Sequence, residues 1–357
     1  MANMNIRTPR FYVDYVNFLK TRDSVSGHYG IQTGSSDDIS LSSGSTIDEL
    51  YDMRPLNQVE FNTTGNTNGH LKLWIDLKSE AFKVDFVAIL NHNMVGADAK
   101  IRVSSDDHAT DKAEIIAVNH AGASNKQAIS NVVGGVTSDP ADHLIGPDLT
   151  NSWGAGHTII NFTGVQDRFW GIQFEGTTNA NDSSAGALFN PNTNLKIGCI
   201  LIGQYYDMPH SPDLNVKRSI AFDGTKIQES LGGQRYSTIT SHGRKNISDS
   251  NKSPFHTYYN AFGAYGGRMS YDMKFSYLNS TDIMPDNYNE FQPTDEGIIE
   301  DLWNKTNGNH TPFIFTQDGT STNYSDYLFA RFAQNSMSMT QVAPDVFDVA
   351  MKIEEEF

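Results

Sequence analysis

The chain has 357 residues and is acidic, with 26 Lys and Arg against 42 Asp and Glu and a formal net charge of −16 at pH 7. A surface of this charge repels phosphate backbones, so we expect no sequence-independent binding to nucleic acid. Hydrophobic residues make up only 38% of the chain. No stretch reaches the roughly 18 apolar residues of a membrane-spanning helix, so we expect no membrane span.

The single cysteine, Cys199, excludes an intrachain disulfide. It lies in an apolar run, so we interpret it as a small buried side chain and not as a reactive thiol. A large secreted β protein would often carry disulfides, so we expect synthesis and folding in a reducing cytoplasm. The opening residues also lack the apolar core of a signal peptide.

The first 50 residues are predicted to form an N-terminal strand and an extended arm. Residues 5–19 are rich in aromatic side chains, and their alternation predicts a strand that pairs with a sheet or with a neighbouring subunit. Residues 20–49 are rich in Ser, Gly and Asp. This composition predicts a long loop, or an arm that becomes ordered on assembly.

A first domain is assigned to residues 51–208. Its predicted strands cover residues 71–77, 84–90, 100–104, 159–162, 169–175 and 195–203. The second of these is nearly all apolar, as expected of an interior strand that is covered on both faces. Trp74 and Trp170 lie within alternating strands, so core packing is favoured over stacking on a sugar.

A second domain is assigned to residues 209–357. Pro209 and Pro212 mark the boundary, because prolines end strand ladders and stiffen linkers. Its predicted strands cover residues 235–240, 268–277, 312–316, 327–333 and 347–353.

A single helix is predicted at residues 295–307. Asp295 and Glu296 would lie in its first turn, where carboxylates suit the positive end of the helix dipole. Its apolar stripe is formed by Ile298, Ile299, Leu302 and Trp303. Gly308 is expected to end the helix at its C-terminus.

The clearest pattern is a five-step alternation in residues 268–277. The residues predicted to share its buried face are Met269, Tyr271, Met273, Phe275 and Tyr277. Side chains on a strand switch faces at every residue, so the other face should be wet. Residues 347–357 repeat the pattern. Because antiparallel sheets commonly leave one face solvated, the chain is predicted to be mostly β and antiparallel, with a barrel or a sandwich in each half.

No residue is assigned a catalytic, cofactor-binding or metal-binding role, since G-x-S-x-G, P-loop and H-E-x-x-H patterns are absent. For His92, which follows a buried strand, hydrogen bonding to local backbone is favoured over a catalytic or sugar-contacting role. A solvated turn is favoured over a cation site for Asp106, Asp107, His108 and Asp111. The histidines without metal-ligand spacing are His120, His143 and His157. Paired carboxylates are common in so acidic a chain, so the pairs Asp37–Asp38 and Asp295–Glu296 carry little weight as evidence for glycoside hydrolysis.

Glycine pairs and a terminal acidic run are the remaining local features. The pairs at 232–233 and 266–267 predict tight turns or bulges beside strands. The glutamates at 354–356 predict a solvated strand end. A basic patch on a neighbouring subunit is the alternative partner for them.

Short phrases in the first domain indicate a resemblance to a known fold. They are LWIDL at 73–77, VDFVAILNHN at 84–93, RFWGIQFEG at 168–176 and LKIGCILIG at 195–203. This set resembles the discoidin or galactose-binding jelly roll, copies of which occur in tail proteins of long-tailed bacteriophages. The resemblance implies a jelly-roll β-sandwich.

The order of elements in the second domain indicates another resemblance. The sequence runs through SLGGQRY at 230–236, the strand at 268–277, the helix at 295–307, TPFIFTQDG at 311–319 and KIEEEF at 352–357. This order resembles the tail-tube-like hub domain of phage distal tail and baseplate proteins. It implies a split β-barrel with one flanking α-helix, which closes into a ring.

Together the resemblances imply a structural protein of a phage tail tip or baseplate, located in the virion tail and without enzymatic activity or cofactors. The implied partners are copies of the chain in a homo-oligomeric ring and other tail proteins such as the tube, hub and fibre. A host surface glycan is a further candidate. Two interpretations stay open: a carbohydrate-binding protein or glycan-degrading enzyme with a jelly-roll binding module, and a capsid or neck decoration protein.

Overall fold

The protein is mostly β, as its composition and alternation predicted. The computed structural model describes residues 7–22, 27–32, 39–64, 70–78, 82–106, 127, 129–139, 144–147, 156–176, 189–221, 225–239, 268–284, 297–322 and 326–356. Every strand pairing within these residues is antiparallel, which confirms the predicted direction of pairing.

The strands are numbered in chain order. Those of the first half are β1 (Arg10–Asp14), β2 (Tyr29–Ile31), β3 (Val59–Phe61), β4 (Leu71–Asp76), β5 (Val84–His92), β6 (Ala99–Asp106), β7 (Ile129–Val133), β8 (Gly135–Asp139), β9 (Leu144–Pro147), β10 (Gly156–Val165), β11 (Phe169–Gly176), β12 (Leu195–Ile197) and β13 (Cys199–Asp207). Those of the second half are β14 (Lys217–Ala221), β15 (Thr225–Glu229), β16 (Arg235–Ile239), β17 (Arg268–Asn279), β18 (Phe313–Thr316), β19 (Tyr327–Phe332), β20 (Met339–Ala343) and β21 (Val346–Glu355).

Helical segments are short within the described residues. They are α1 (Tyr15–Arg22), a 3-10 helix (Ile47–Tyr51), α2 (Ser280–Ile283) and a π-helix (Ile298–Asn304). None of them is long and apolar enough to cross a membrane.

One large sheet runs through both halves of the chain. Its strand order is β14-β17-β21-β19-β18-β1-β13-β5-β10-β7, and β20 adds to β21. A six-stranded sheet has the order β2-β4-β11-β6-β9-β8, and two-stranded sheets join β12 to β3 and β15 to β16. The nearly all-apolar segment predicted as an interior strand is β5, which is buried along its whole length between β13 and β10.

Two hydrophobic cores lie side by side on one face of the large sheet. The first joins side chains such as Val87 and Ile202 of the large sheet to Ile75 and Trp170 of the six-stranded sheet. The second is formed by side chains of β17, β18, β19, β21 and the π-helix, together with Phe11 and Val13 of β1. A third cluster, which includes Tyr12, covers part of the opposite face.

The N-terminal strand β1 lies in the centre of the large sheet. It pairs with β13 on one side and with β18 on the other. Phe11 and Val13 point into the second core, while Tyr12 points to the opposite face. The segment therefore joins strands from both halves, which its position in the sequence did not indicate. The assigned domain boundaries stay a prediction.

The strand predicted at residues 5–19 is shorter than expected. It ends at Asp14, and α1 begins at Tyr15. The buried Asp14 carboxylate accepts a hydrogen bond of 2.7 Å from the Asn17 backbone N–H, as a helix N-cap does. Tyr15, Phe18 and Leu19 are buried at helical spacing, so tertiary packing overrides the local alternation. Part of the predicted arm is ordered too, as β2 and the 3-10 helix.

The predicted helix at residues 295–307 is a π-helix that begins at Ile298. Asp295 and Glu296 lie outside the described residues, and the carboxylates in the observed first turn are those of Glu300 and Asp301. The buried stripe is confirmed, because Ile298, Ile299 and Leu302 are in the second core. The stop is confirmed as well. Gly308 has φ +68° and donates a hydrogen bond of 2.8 Å to the Trp303 carbonyl.

The apolar segment at residues 195–203 is divided at Gly198 into β12 and β13. A Cβ atom at position 198 would lie 2.0 Å from the carbonyl oxygen of Pro55, so only glycine fits there. The division lets β12 pair with β3 while β13 pairs with β5.

Candidate assembly surface

Exposed large apolar side chains of the described residues are confined to the second half of the chain. The large hydrophobic side chains that are exposed are Leu214, Ile220, Ile227, Leu231, Tyr236, Tyr277 and Val342. Large apolar side chains in the described part of residues 7–213 are buried or half-buried. Clustered exposure of this kind marks an interaction surface more often than scattered single residues do.

Three of these residues lie on a hairpin formed by β15 and β16, which we call the exposed hairpin. Its two strands pair only with each other among the described residues. Every side chain from Lys226 to Thr238 is exposed, with Ile227 at 65% and Leu231 fully open at the tip. An isolated two-stranded hairpin is at best marginally stable in water, and among the described residues no other strand or core supports this one.

The tip of the exposed hairpin has a well-bonded turn. Gly233 has φ +83° and donates a hydrogen bond of 2.9 Å to the Ser230 carbonyl. The Ser230 hydroxyl accepts a bond of 3.1 Å from the Gln234 backbone N–H, and the strand ends are joined by an ion pair between Arg235 and Glu229. The tight turn predicted at 232–233 is confirmed, while the pair at 266–267 lies outside the described residues.

The strand before the hairpin, β14, is an edge of the large sheet within the described residues. Ile220 lies opposite Met269 of β17, on the face that bears the second core. Met269 is half-buried and Ile220 is 54% exposed. The apolar face of the second core therefore continues onto β14 beyond the side chains that cover it.

A second exposed group lies at the far end of β17, and we call Tyr277, Val342 and Asp345 the end patch. Tyr277 was predicted to be buried, but it is 80% exposed. The pairing of β17 with β21 shifts register between Phe275 and Leu278, and Tyr277 has φ +66°. This β-bulge turns Tyr277 to solvent, which alternation could not reveal. Val342 and Asp345 are exposed at the adjacent end of β20 and β21.

The wet face predicted for residues 268–277 is a layer of cross-strand ion pairs. Lys274 contacts Asp348 at 2.6 Å, and Arg268 contacts Glu354 at 3.3 Å. The hydrogen bond between Lys274 and Asp348 raises the pKa of the lysine and lowers the pKa of the carboxyl group. Buried side chains such as Met273 alternate with this layer, so the two-faced strand is confirmed.

The terminal glutamates have partners within the chain. Glu354 pairs with Arg268, and Glu356 contacts Arg331 at 3.3 Å. Glu355 is buried and accepts a hydrogen bond of 3.0 Å from the Met269 backbone N–H. The run is thus bonded locally, instead of forming only a solvated end.

His92 is buried and forms a hydrogen bond with nearby backbone, as predicted. Its Nδ1 accepts a hydrogen bond of 3.3 Å from the Met94 backbone N–H, and its Nε2 lies 2.9 Å from the Thr158 hydroxyl. Thr158 donates to the Gly134 carbonyl, so the imidazole Nε2 is the donor of its own contact with Thr158. Burial lowers the pKa of His92 to about 3.

The other residues considered as candidates for a functional site do not lie together in the described part of the chain. Cys199 is buried, and burial raises the pKa of its thiol, as expected of a structural cysteine. Trp170 is fully buried, whereas Trp74 is half-buried with its indole against the backbone of Gly30. Asp106 ends β6. The candidates outside the described residues are Asp37, Asp38, Asp107, His108, Asp111, His120, His143, Asp295 and Glu296.

A buried lysine links the two cores. Lys305 is fully buried, and its Nζ donates to the Asp301 carboxylate, to the Tyr15 hydroxyl at 3.3 Å and to the Gln204 side-chain oxygen at 3.4 Å. Tyr15 donates to Gln204 at 2.7 Å and so closes the network. Burial acts to lower the pKa of Lys305, but Tyr15 and Asp301 outweigh it, so the pKa is raised. Sequence reasoning missed this network, because its members are far apart in the chain.

A buried carboxyl group beside the β1–β13 junction should make stability depend on pH. Asp85 is 2% exposed and accepts a hydrogen bond of 2.7 Å from the Tyr205 backbone N–H. Burial raises the pKa of Asp85 from 3.8 to about 8. Between pH 4 and 8 the unfolded chain loses this proton while the folded chain retains it, so the contribution of Asp85 to stability falls as pH rises through this range.

We therefore expect Asp85→Asn to be more stable than the natural chain at pH 8, by a few kcal/mol, since each pKa unit corresponds to about 1.4 kcal/mol. Asparagine keeps the oxygen that Tyr205 needs and has no proton to lose. Urea denaturation from pH 4 to pH 9 measures the effect. Equal pH dependence in the two proteins would show that Asp85 is ionised in the folded state.

Neither metal-ligand geometry nor similarity to known proteins assigns a function to the chain. Within the described ranges, no three side chains of His, Cys, Asp or Glu are grouped so that they could hold a metal ion. The exposed hairpin, β14 and the end patch are the basis for the function proposed below. No protein-family model matches the chain, and no curated protein is significantly similar to it.

Proposed function

We propose that the chain is a structural protein of a tailed-phage particle, placed at the tail tip or baseplate, which acts by holding copies of itself and neighbouring tail proteins together. The observation that carries the proposal is that, among the described residues, the exposed large apolar side chains all lie within residues 214–342. Ile220 and the hairpin residues Ile227, Leu231 and Tyr236 follow one another along β14 to β16, and exposed apolar groups of this kind mark sites of contact with other proteins.

In this proposal the first part is a galactose-binding-like jelly roll and the second a tail-tube-like split barrel with a flanking helix. The first core between two antiparallel sheets supports a sandwich. The second core, closed on one side by the π-helix, supports a sheet with one helical flank. The order of elements quoted from the sequence supports the tail-tip assignment. The second part makes the lateral contacts, and the first part faces a neighbour, a fibre or a host glycan.

The proposed role requires no bond to be made or broken. Buried polar groups such as His92 and Lys305 have partners within the fold, which supports structural roles for them. A glycan hydrolysis screen tests this part. Turnover that a single carboxylate substitution abolishes would contradict the structural role and favour the glycan-degrading alternative.

Location in the particle tests the proposal directly. Particles produced from the genome that encodes this chain would be purified and labelled with an antibody against it for electron microscopy. We expect label at the tail tip, in a fixed number of copies relative to the tube protein by mass spectrometry. Label on the capsid or neck would favour a decoration role, and absence from purified particles would overturn the proposal.

A further inference from the structure

The exposed hairpin and the end patch lie at opposite ends of the same layer of strands. Ala221, at the end of β14 that leads to the hairpin, pairs with Arg268 at the start of β17. Tyr277 lies nine residues further along β17, which is roughly 30 Å at the rise of a strand. All described side chains of the hairpin are exposed, so it does not pack on the patch of its own chain.

The charge of the hairpin region is opposite to that of the rest of the chain. Residues 214–245 contain six Lys and Arg and two Asp and Glu, a formal net charge of +4. The remaining residues therefore carry −20. Residues 268–357, which contain the end patch, have five Lys and Arg and fifteen Asp and Glu, a net charge of −10. Attraction between such regions steers association and fixes its orientation.

The apolar side chains of the two surfaces are complementary as well. Ile227 and Leu231 project from the hairpin, and Tyr277 and Val342 project from the end patch. Asp345 supplies a carboxylate within the patch, while Lys226 supplies a cation on the hairpin. Contact between the two surfaces would remove apolar area from water and supply the support that an isolated hairpin lacks.

We infer that the exposed hairpin of one copy docks on the end patch of a second copy. The inference rests on the proposed function, because it takes another copy of this chain as the occupant of the surface. Because the two surfaces differ and lie at opposite ends of one body, the contact is head-to-tail. Head-to-tail contacts close into a ring when the rotation between copies permits it, and otherwise extend into a filament.

Two double variants of the full-length chain separate the surfaces. The hairpin variant carries Ile227→Ser and Leu231→Ser. The patch variant carries Val342→Ser and Tyr277→Asn, because asparagine tolerates the positive φ at this position. All four side chains are exposed, so both variants should fold and melt like the natural chain. We expect self-association of each variant to weaken by about a hundredfold or more.

A mixture of the two variants gives the decisive result. The hairpin variant keeps an intact patch, and the patch variant keeps an intact hairpin, so one competent contact is left between them. Light scattering coupled to size-exclusion chromatography should show monomers for each variant alone and a 1:1 dimer for the mixture. The natural chain should form larger assemblies under the same conditions.

Each other outcome overturns the inference. Variants that assemble like the natural chain would show that the hairpin and the patch are not the contact. Variants that stay monomeric when mixed would show that the two surfaces do not bind each other. A natural chain that is monomeric throughout would exclude a second copy as the occupant. The proposed function is tested by a different result. Absence of the chain from tail tips would contradict it, whatever the outcome for this contact.

Discussion

Replacement of Gly203 with alanine is expected to lower the free energy of unfolding by about 3 kcal/mol or more, or to prevent folding. Gly203 lies in β13, where the strand pairs with β1 and with β5. A Cβ atom at this position would be 2.0 Å from the Val13 carbonyl oxygen and 3.2 Å from the Tyr15 backbone nitrogen. Because both obstacles are backbone atoms, they cannot rotate away as a side chain could.

The effect should spread beyond one strand, because β1 joins both halves. Arg10 of β1 forms two hydrogen bonds with the Asp207 carboxylate, at 2.6 and 2.8 Å, and lies over the Tyr205 ring. A shift of β1 away from β13 would break this contact. The same shift would withdraw Phe11 from the second core.

Gly232→Ala is the matched control for Gly203→Ala. Gly232 lies at the tip of the exposed hairpin, where the nearest atom to an added Cβ is the Ser230 hydroxyl oxygen at 3.9 Å. We expect this variant to stay within about 0.5 kcal/mol of the natural chain. Urea denaturation followed by tryptophan fluorescence measures both. Equal stabilities of the two variants would mean that β1 does not lie against β13 as described.

Lys305→Met is expected to lower the free energy of unfolding by about 3–5 kcal/mol. The substitution removes the cation from a fully buried network and leaves the Asp301 carboxylate and the Tyr15 hydroxyl without their shared donor. The uncompensated carboxylate supplies most of the cost.

Lys274→Met is the control for the buried lysine. Lys274 is exposed and contacts Asp348 on the wet face of β17, and ion pairs at the surface contribute little to stability because water screens them. A second control removes both buried charges through Asp301→Leu and Lys305→Met, and should recover part of the lost stability. Calorimetry distinguishes the cases. A loss for Lys305→Met no larger than that for Lys274→Met would contradict the buried network.

The local sequence pattern was sufficient to predict most of the strands. The segments that became β4, β5, β6, β11, β17 and β21 were predicted because alternation or continuous burial extends over their length. The stop at Gly308 and the turn at Gly233 were predicted because each requires a left-handed backbone that glycine adopts at little cost. These features depend on neighbouring residues only.

The missed features depend on residues far apart in the chain. The bulge at Tyr277 arises from the register between β17 and β21, and the break at Gly198 arises from the approach of Pro55. The central place of β1 depends on partners at residues 199–207 and 313–316. Exposure of the hairpin also could not be predicted, because burial of Ile227 or Tyr236 would depend on contacts with segments far away in the chain.

The central claim is that the second half of the chain carries a surface for assembly with further copies. Native mass spectrometry of the purified full-length chain over a range of concentrations tests it most directly. We predict that the monomer is replaced, as concentration rises, by assemblies of several copies, with one closed state dominant if the head-to-tail contact forms a ring. A chain that remains monomeric across the whole range would contradict the claim.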